Sequence, residues 1–138
     1  PPSPPPPPPQ QQPQEEEQQQ ALGRHDHIVR LLDCVDVVDA TYIVMERVDG
    51  PDLIVYMERF PLSRLPPAEA QRFFAQLLTA LAHAHSRGFL HCDVKPLNIR
   101  LSAACDHAVL TDWGLSYRIG DVAHFTSGTP AYAVCYPR

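Results

Sequence analysis

His91-Cys92-Asp93-Val94-Lys95-Pro96-Leu97-Asn98 is followed, fourteen residues after Asn98, by Asp112-Trp113-Gly114. Lys95 is the only lysine in the 138-residue chain. Between the two strings, Ile99-Arg100-Leu101 and Ala108-Val109-Leu110-Thr111 are short β-rich runs around a polar turn at Asp106-His107. Such a pattern predicts a hairpin, and this hairpin brings Asn98 and Asp112 together.

Upstream, Pro66-Pro67-Ala68-Glu69 reads as a helix start, with proline in the first turn and an acid at the positive end of the helix dipole. Ala70, Phe73, Phe74, Leu77, Leu78 and Leu81 then recur at helical spacing, and Arg87-Gly88 closes the segment. This pattern predicts a helix over residues 67–86, with its aromatic stripe in the core. Nearer the beginning, Ile28 to Val35 and Thr41 to Glu46 are β-rich, and the acidic run from Asp36 to Asp39 suits the turn between them. Asp49-Gly50-Pro51-Asp52 is a turn signal, with Asp52 as N-cap for a short helix over Leu53 to Arg59 that Pro61 ends.

The first twenty residues hold nine Pro, seven Gln, three Glu and one Ser. With no branched aliphatic or aromatic side chain, this tract cannot bury a core and is expected to be disordered, its prolines extended as polyproline II. It reads as a linker or as a docking segment for an SH3- or WW-type partner. It carries three of the 16 acidic residues and none of the 11 basic ones, which leaves the rest of the chain at a net charge of about −2. That balance argues against nucleic acid as a partner. Four cysteines stand far apart, with no signal peptide and no apolar run long enough to span a bilayer. An intracellular protein, cytoplasmic or nuclear, with reduced thiols and no membrane partner is expected. His25-Asp26-His27 and His83-Ala84-His85 have neither helical nor zinc-site spacing, so no histidine metal site is expected.

His-x-Asp-x-Lys-Pro-x-x-Asn, then Asp-Trp-Gly, then Ser127-Gly128-Thr129-Pro130-Ala131-Tyr132 resembles the eukaryotic serine/threonine protein kinase family. Earlier segments agree with the resemblance. His25-x-x-Ile28-Val29-x-Leu31-Leu32-Asp33 resembles the entry to the fourth kinase strand, and Ile43-Val44-Met45-Glu46 with Gly50-x-Asp52-Leu53 resembles the gatekeeper strand and hinge. The resemblance implies an α+β, protein-kinase-like fold, incomplete: a small β fragment of the N-lobe plus the helix and catalytic-loop hairpin of the C-lobe. Residues 1–20 then form the Pro/Gln/Glu segment and 21–138 a partial kinase domain.

It also implies transfer of the ATP γ-phosphate to a hydroxyl of a protein substrate. Phosphoryl transfer needs a positioned hydroxyl, shielded phosphate charge and a bridging metal. By the resemblance, Asp93 orients the substrate hydroxyl, Lys95 neutralises charge on the γ-phosphate, and Thr129 hydrogen-bonds both. Asn98 and Asp112 hold Mg2+ through oxygen ligands. Met45 is the gatekeeper, Glu46 and Val48 offer backbone groups to adenine, and Asp52 meets the ribose. Singly, an Asp or Asn in a loop is usually a turn former and a lone lysine is usually solvated; it is their joint spacing that carries the reading.

Several positions depart from the family pattern. Arg100, two after Asn98, replaces the apolar residue of the adenine floor, where a guanidinium would clash with an apolar slot. Cys92 replaces the arginine that pairs with a phosphorylated activation loop, so Thr126 and Ser127 lack their simplest receptor. Trp113 replaces the common Phe, as in casein kinase II-like enzymes. The six glycines form no Gly-x-Gly-x-x-Gly loop, and no second lysine exists to anchor the α- and β-phosphates. Two classes remain: a kinase domain present as a partial chain and inactive alone, or a catalytically dead kinase-like interaction module whose Pro/Gln tract docks partners.

Overall fold

Pro67 begins the longest element, because a proline N–H is not missed in a first helical turn and its ring presets φ there. The structure is a computed structural model that describes residues 21–120 and 128–132; the Pro/Gln/Glu tract and the candidate phosphosites Thr126 and Ser127 lie outside them. Its strands are β1 (Leu31–Val37), β2 (Ala40–Met45), β3 (Phe89–Leu90), β4 (Ile99–Leu101), β5 (Ala108–Leu110) and β6 (Tyr117–Arg118). Its helices are α1 (Leu53–Met57) and α2 (Pro67–Ser86). The strands pair antiparallel as β1 with β2, β3 with β6, and β4 with β5.

Helix α2 has the span that the sequence predicts, but its buried face is narrower. Phe73, Leu77, Ala80 and Ala84 are buried, whereas Phe74 is 63% and Leu78 49% exposed. Adjacent helical residues point about 100° apart, so only one member of each Phe73/Phe74 and Leu77/Leu78 pair faces the core. Ala80 and Ala84 are fully buried, small enough to let α2 pack closely on its neighbours. The same core takes in Leu101, Ala108 and Leu110 from the β4–β5 hairpin and Trp113 just beyond β5.

The β1–β2 hairpin departs from the expected boundaries. Strand β1 runs on to Val37, and Val37 pairs with Ala40, leaving Val38-Asp39 as a two-residue turn. A cross-strand bond from the Thr41 hydroxyl to the Asp36 carboxylate, at 2.6 Å, holds in the ladder a residue read as turn. Leu32 is bulged out of the register. Ile28 and Val29 do not join β1; they run beside β5, with Val29 N–H donating to the Leu110 carbonyl at 3.0 Å.

Helix α1 ends at Met57, short of the expected Arg59. Asp52 occupies its N-cap position, yet its side chain makes no capping bond. The carboxylate is engaged by Arg100 instead. Gly50 has a different constraint: its N–H donates to the Leu101 carbonyl at 3.0 Å, and a Cβ there would overlap the carbonyl oxygens of Leu101 and Ser102. Only glycine lets residues 50–52 lie against β4.

Truncating a fully buried phenylalanine costs about 3–5 kcal/mol. Phe73→Ala should therefore lower unfolding stability by roughly that amount, with Phe74→Ala costing under about 1 kcal/mol, as read by urea denaturation of the two variants. Equal losses would contradict the assignment of the buried face.

Candidate active site

The 91–98 loop is shaped by a buried histidine. His91 is 2% exposed, its Nε2–H donates to the Thr111 carbonyl at 3.0 Å, and its Nδ1 accepts the Asp93 N–H at 3.2 Å. Those two bonds require the proton on Nε2. Burial holds the His91 pKa below the ordinary value, which keeps the ring neutral and preserves that tautomer. Its ring lies 4.6 Å from that of Trp113, which is fully buried and whose indole N–H has no acceptor among the described residues.

Cys92 then takes a left-handed φ of 65°, and Asp93 comes next at 5% exposure. A carboxylate so far removed from water needs hydrogen bonds to stay ionised. Asp93 has them. Oδ2 accepts Lys95 Nζ at 2.6 Å and Asn98 Nδ2 at 3.0 Å, while Oδ1 accepts Thr129 N–H at 2.8 Å and Thr129 Oγ1–H at 2.7 Å. A carboxylate offers about four lone-pair positions, so the group is saturated. Lys95 Nζ also donates to Thr129 Oγ1 at 2.7 Å, closing a ring among Asp93, Lys95 and Thr129. Asn98 Nδ2 further donates to the Asp93 carbonyl at 2.9 Å.

Burial pushes the Asp93 pKa up, but the bonds from Lys95, Thr129 and Asn98 outweigh it and bring the group down to about 2. Asp93 is therefore an ionised acceptor and a weak base. The four residues expected to carry catalysis, Asp93, Lys95, Asn98 and Thr129, are thus brought into one cluster from a sequence separation of 36.

Asn98 and Asp112 come near each other through the central hairpin. Thr111 N–H donates to the Asn98 carbonyl at 2.9 Å, so Asp112 stands directly after the residue paired with Asn98. Asp112 is exposed, has a left-handed φ of 60°, and accepts the Gly114 N–H at 3.4 Å. With its amide nitrogen on Asp93, Asn98 keeps its Oδ1 as a further oxygen donor, and Asp112 supplies a carboxylate one residue after Thr111. Two hard oxygen donors of this kind suit Mg2+, which takes one or two protein ligands with phosphate and water completing the shell. Among the described residues no group of three His, Cys, Asp or Glu side chains is assembled around a metal position.

Met45 and Glu46 stand at the end of β2, while Val48 and Asp52 meet a common partner, Arg100. Glu46 N–H donates to the Arg30 carbonyl at 2.9 Å and its carboxylate accepts the Arg30 N–H at 2.8 Å, fixing the end of β2, where Met45 is 38% exposed. Arg100, expected to bring a charge into an apolar slot, meets polar partners. Its guanidinium lies along residues 48–52 instead: Nε donates to the Val48 carbonyl at 3.3 Å, Nη2 to the Gly50 carbonyl at 2.7 Å and Nη1 to Asp52 Oδ1 at 3.1 Å. This pair is what removes Asp52 from helix capping. The place of Arg100 is legible in the sequence but its partners are not, since any of several nearby carbonyls was within reach.

Two residues with no assigned role matter to the site. His91 sets the loop, and Gly128 admits Thr129: at φ 111° it packs so closely that a Cβ would lie 2.7 Å from the Cys92 carbonyl oxygen. The glycine just before Thr129 was the available signal.

The chain matches the protein kinase domain family over residues 7–134, a range that starts inside the Pro/Gln/Glu tract. It is 42% identical over 113 residues to CBL-interacting protein kinase 30 of Oryza sativa subsp. japonica, covering 78% of this chain and 23% of that protein. To CBL-interacting protein kinase 4 of the same organism it is 39% identical over 115 residues, covering 80% and 25%. To CBL-interacting serine/threonine-protein kinase 16 of Arabidopsis thaliana it is 35% identical over 121 residues, covering 79% and 25%. The chain belongs to the protein kinase family, as a partial α+β domain of it, and spans about a quarter of the length of the curated relatives it matches.

Asp93 has a folded-state pKa depressed from 3.8 to about 2, so its stabilising contribution is complete above pH 3.8 and disappears as pH falls through about 2. Unfolding stability should decline over that window. In Thr129→Val, which removes the hydroxyl donor, the Asp93 carboxyl should titrate closer to its ordinary value, as followed by carboxyl-carbon NMR.

Proposed function

We propose that the chain is the central part of a serine/threonine protein kinase domain, transferring the ATP γ-phosphate to a protein hydroxyl, and that it is inactive when isolated. The observation that carries this reading is the closed ring of Asp93, Lys95 and Thr129 with Asn98 bound to the same carboxylate. In this assignment the β1–β2 hairpin belongs to the small lobe, while α1, α2 and the β4–β5 hairpin belong to the large one.

The chemistry of the cluster supports the roles. A carboxylate with a pKa of about 2 is a poor base for a ground-state hydroxyl. Its work is to hold the hydroxyl in line and to take the proton late, which suits a loose phosphoryl-transfer transition state. One of the four donors on Asp93 gives way to the incoming hydroxyl. The Lys95 side chain, bonded to Asp93 and Thr129, is assigned to the transferring group, where phosphoryl oxygens need compensation. When bound, Mg2+ neutralises phosphate charge, and Asn98 Oδ1 with the Asp112 carboxylate are the atoms to hold it. Met45, Glu46, Val48 and Asp52 are assigned to the nucleoside.

A second reading, a kinase-like interaction module without catalysis, is favoured by the hairpin surface, on which Val35, Val37, Val38, Tyr42 and Val44 are all exposed. The polyproline tract would add an SH3- or WW-type docking segment. Free thiols at Cys92 and Cys105 support an intracellular setting for either reading.

Grafting residues 22–133 into the corresponding place of a full-length CBL-interacting protein kinase separates the two. The chimera should phosphorylate a Ser/Thr peptide with MgATP, and Asp93→Asn within it should lower kcat by roughly 10²–10⁴-fold. An inactive but folded chimera, or one indifferent to Asp93→Asn, would favour the interaction module.

A further inference from the structure

We propose that Arg100 is an internal competitor for the nucleoside site: its guanidinium occupies the Val48 carbonyl and the Asp52 carboxylate, and a purine nucleoside binds only by displacing it. This rests on the assignment of residues 45–52 to the nucleoside. Three acceptors within five residues, Val48 O, Gly50 O and Asp52 Oδ1, are all taken by one side chain. Two of them lie on residues that the assignment gives to the ligand. The backbone fixes the approach, because Asp52 and Arg100 form an antiparallel bridge and Leu101 N–H donates to the Pro51 carbonyl at 2.9 Å. The Arg100 side chain is therefore anchored within reach of this segment.

The device is weak enough to yield. The Arg100 and Asp52 side chains are 42% and 33% exposed, so the ion pair is screened by water and salt. A guanidinium displaced from here returns to solvent without becoming a buried, unpaired charge. The consequence is a reduced affinity for the nucleoside, on the order of tenfold for a partly exposed pair and two backbone bonds. Because a guanidinium is charged throughout the physiological pH range, the competition answers to ionic strength and not to pH.

Adenosine is the appropriate probe, since it is neutral and makes no demand on phosphate-binding groups. Its binding to the 138-residue chain is followed by amide NMR at residues 46–52, for the wild type and Arg100→Leu, at low and high salt. The expected result is about tenfold tighter binding by Arg100→Leu, with wild-type affinity rising with salt and variant affinity flat. Arg100→Gln provides the same comparison if Arg100→Leu loses its dispersed amide spectrum. Equal or weaker binding by the variants, or a wild-type affinity indifferent to salt, overturns the competitor role while leaving the nucleoside site standing. If neither wild type nor variants bind adenosine, the nucleoside assignment itself falls, and the inference falls with it.

Discussion

The Asp93 carboxylate is the constraint on which the rest of the described structure depends. It is charged and nearly buried, a combination tolerable only where donors replace the lost water. Those donors come from an amine two residues on, an amide five residues on, and a hydroxyl and backbone N–H at residue 129. Each donor imposes a structural demand. Asn98 has to stand at the start of β4, whose pairing with β5 fixes it against Thr111. Thr129 reaches Asp93 only because Gly128 lets the chain pass over Cys92. His91 anchors the loop by bonding both ways, to Thr111 and to the Asp93 N–H, and its neutrality depends on the same burial that makes Asp93 costly. Helix α2 supplies the floor beneath, through Phe73, Leu77, Ala80 and Ala84.

Strand β4 couples two polar centres of opposite character. At one end Asn98 completes a cluster that is ordered before any ligand arrives, the arrangement that electrostatic catalysis favours. Two residues on, Arg100 satisfies the Val48 and Gly50 carbonyls and the Asp52 carboxylate. Only the buried Ile99 separates the two centres along the strand, and the buried Leu101 fixes the strand beyond Arg100.

Most of the fold was legible, and the parts that were not share a cause. Helix α2 and the β4–β5 hairpin were readable because periodicity, a proline start and a polar turn all agreed there. The Asp93 cluster was readable because its spacing matched a known family, with two of its donors in the same loop and the other two at Thr129, which a separate motif marked. The features that escaped were tertiary. Nothing in the alternation of Ile28 and Val29 shows that they run beside β5 and stay out of β1. Nothing local says that Phe74 and Leu78 face away from the core, since an apolar stripe states hydrophobicity without stating which half is covered. Asp52 looked like a helix cap by every local rule. Its carboxylate was claimed by a cation 48 residues away.

Positive charge is divided between the two centres by type. The only lysine has a side chain 17% exposed and is bound to both Asp93 and Thr129, so it is committed to one loop. An ammonium is a point charge on a flexible stem, suited to follow a moving phosphoryl group, whereas guanidinium is a rigid fork suited to hold several fixed acceptors. The chain uses each where that difference counts: lysine within the loop that holds the Asp93 carboxylate, arginine across the Val48 and Gly50 carbonyls and the carboxylate of Asp52. Exchanging the two would cost both centres. A lysine at 100 could not span three acceptors at once, and an arginine at 95 would bring a planar fork into a ring whose Nζ contacts are 2.6 and 2.7 Å. The identity of the cation at each end of β4 is thus fixed by geometry as much as by charge.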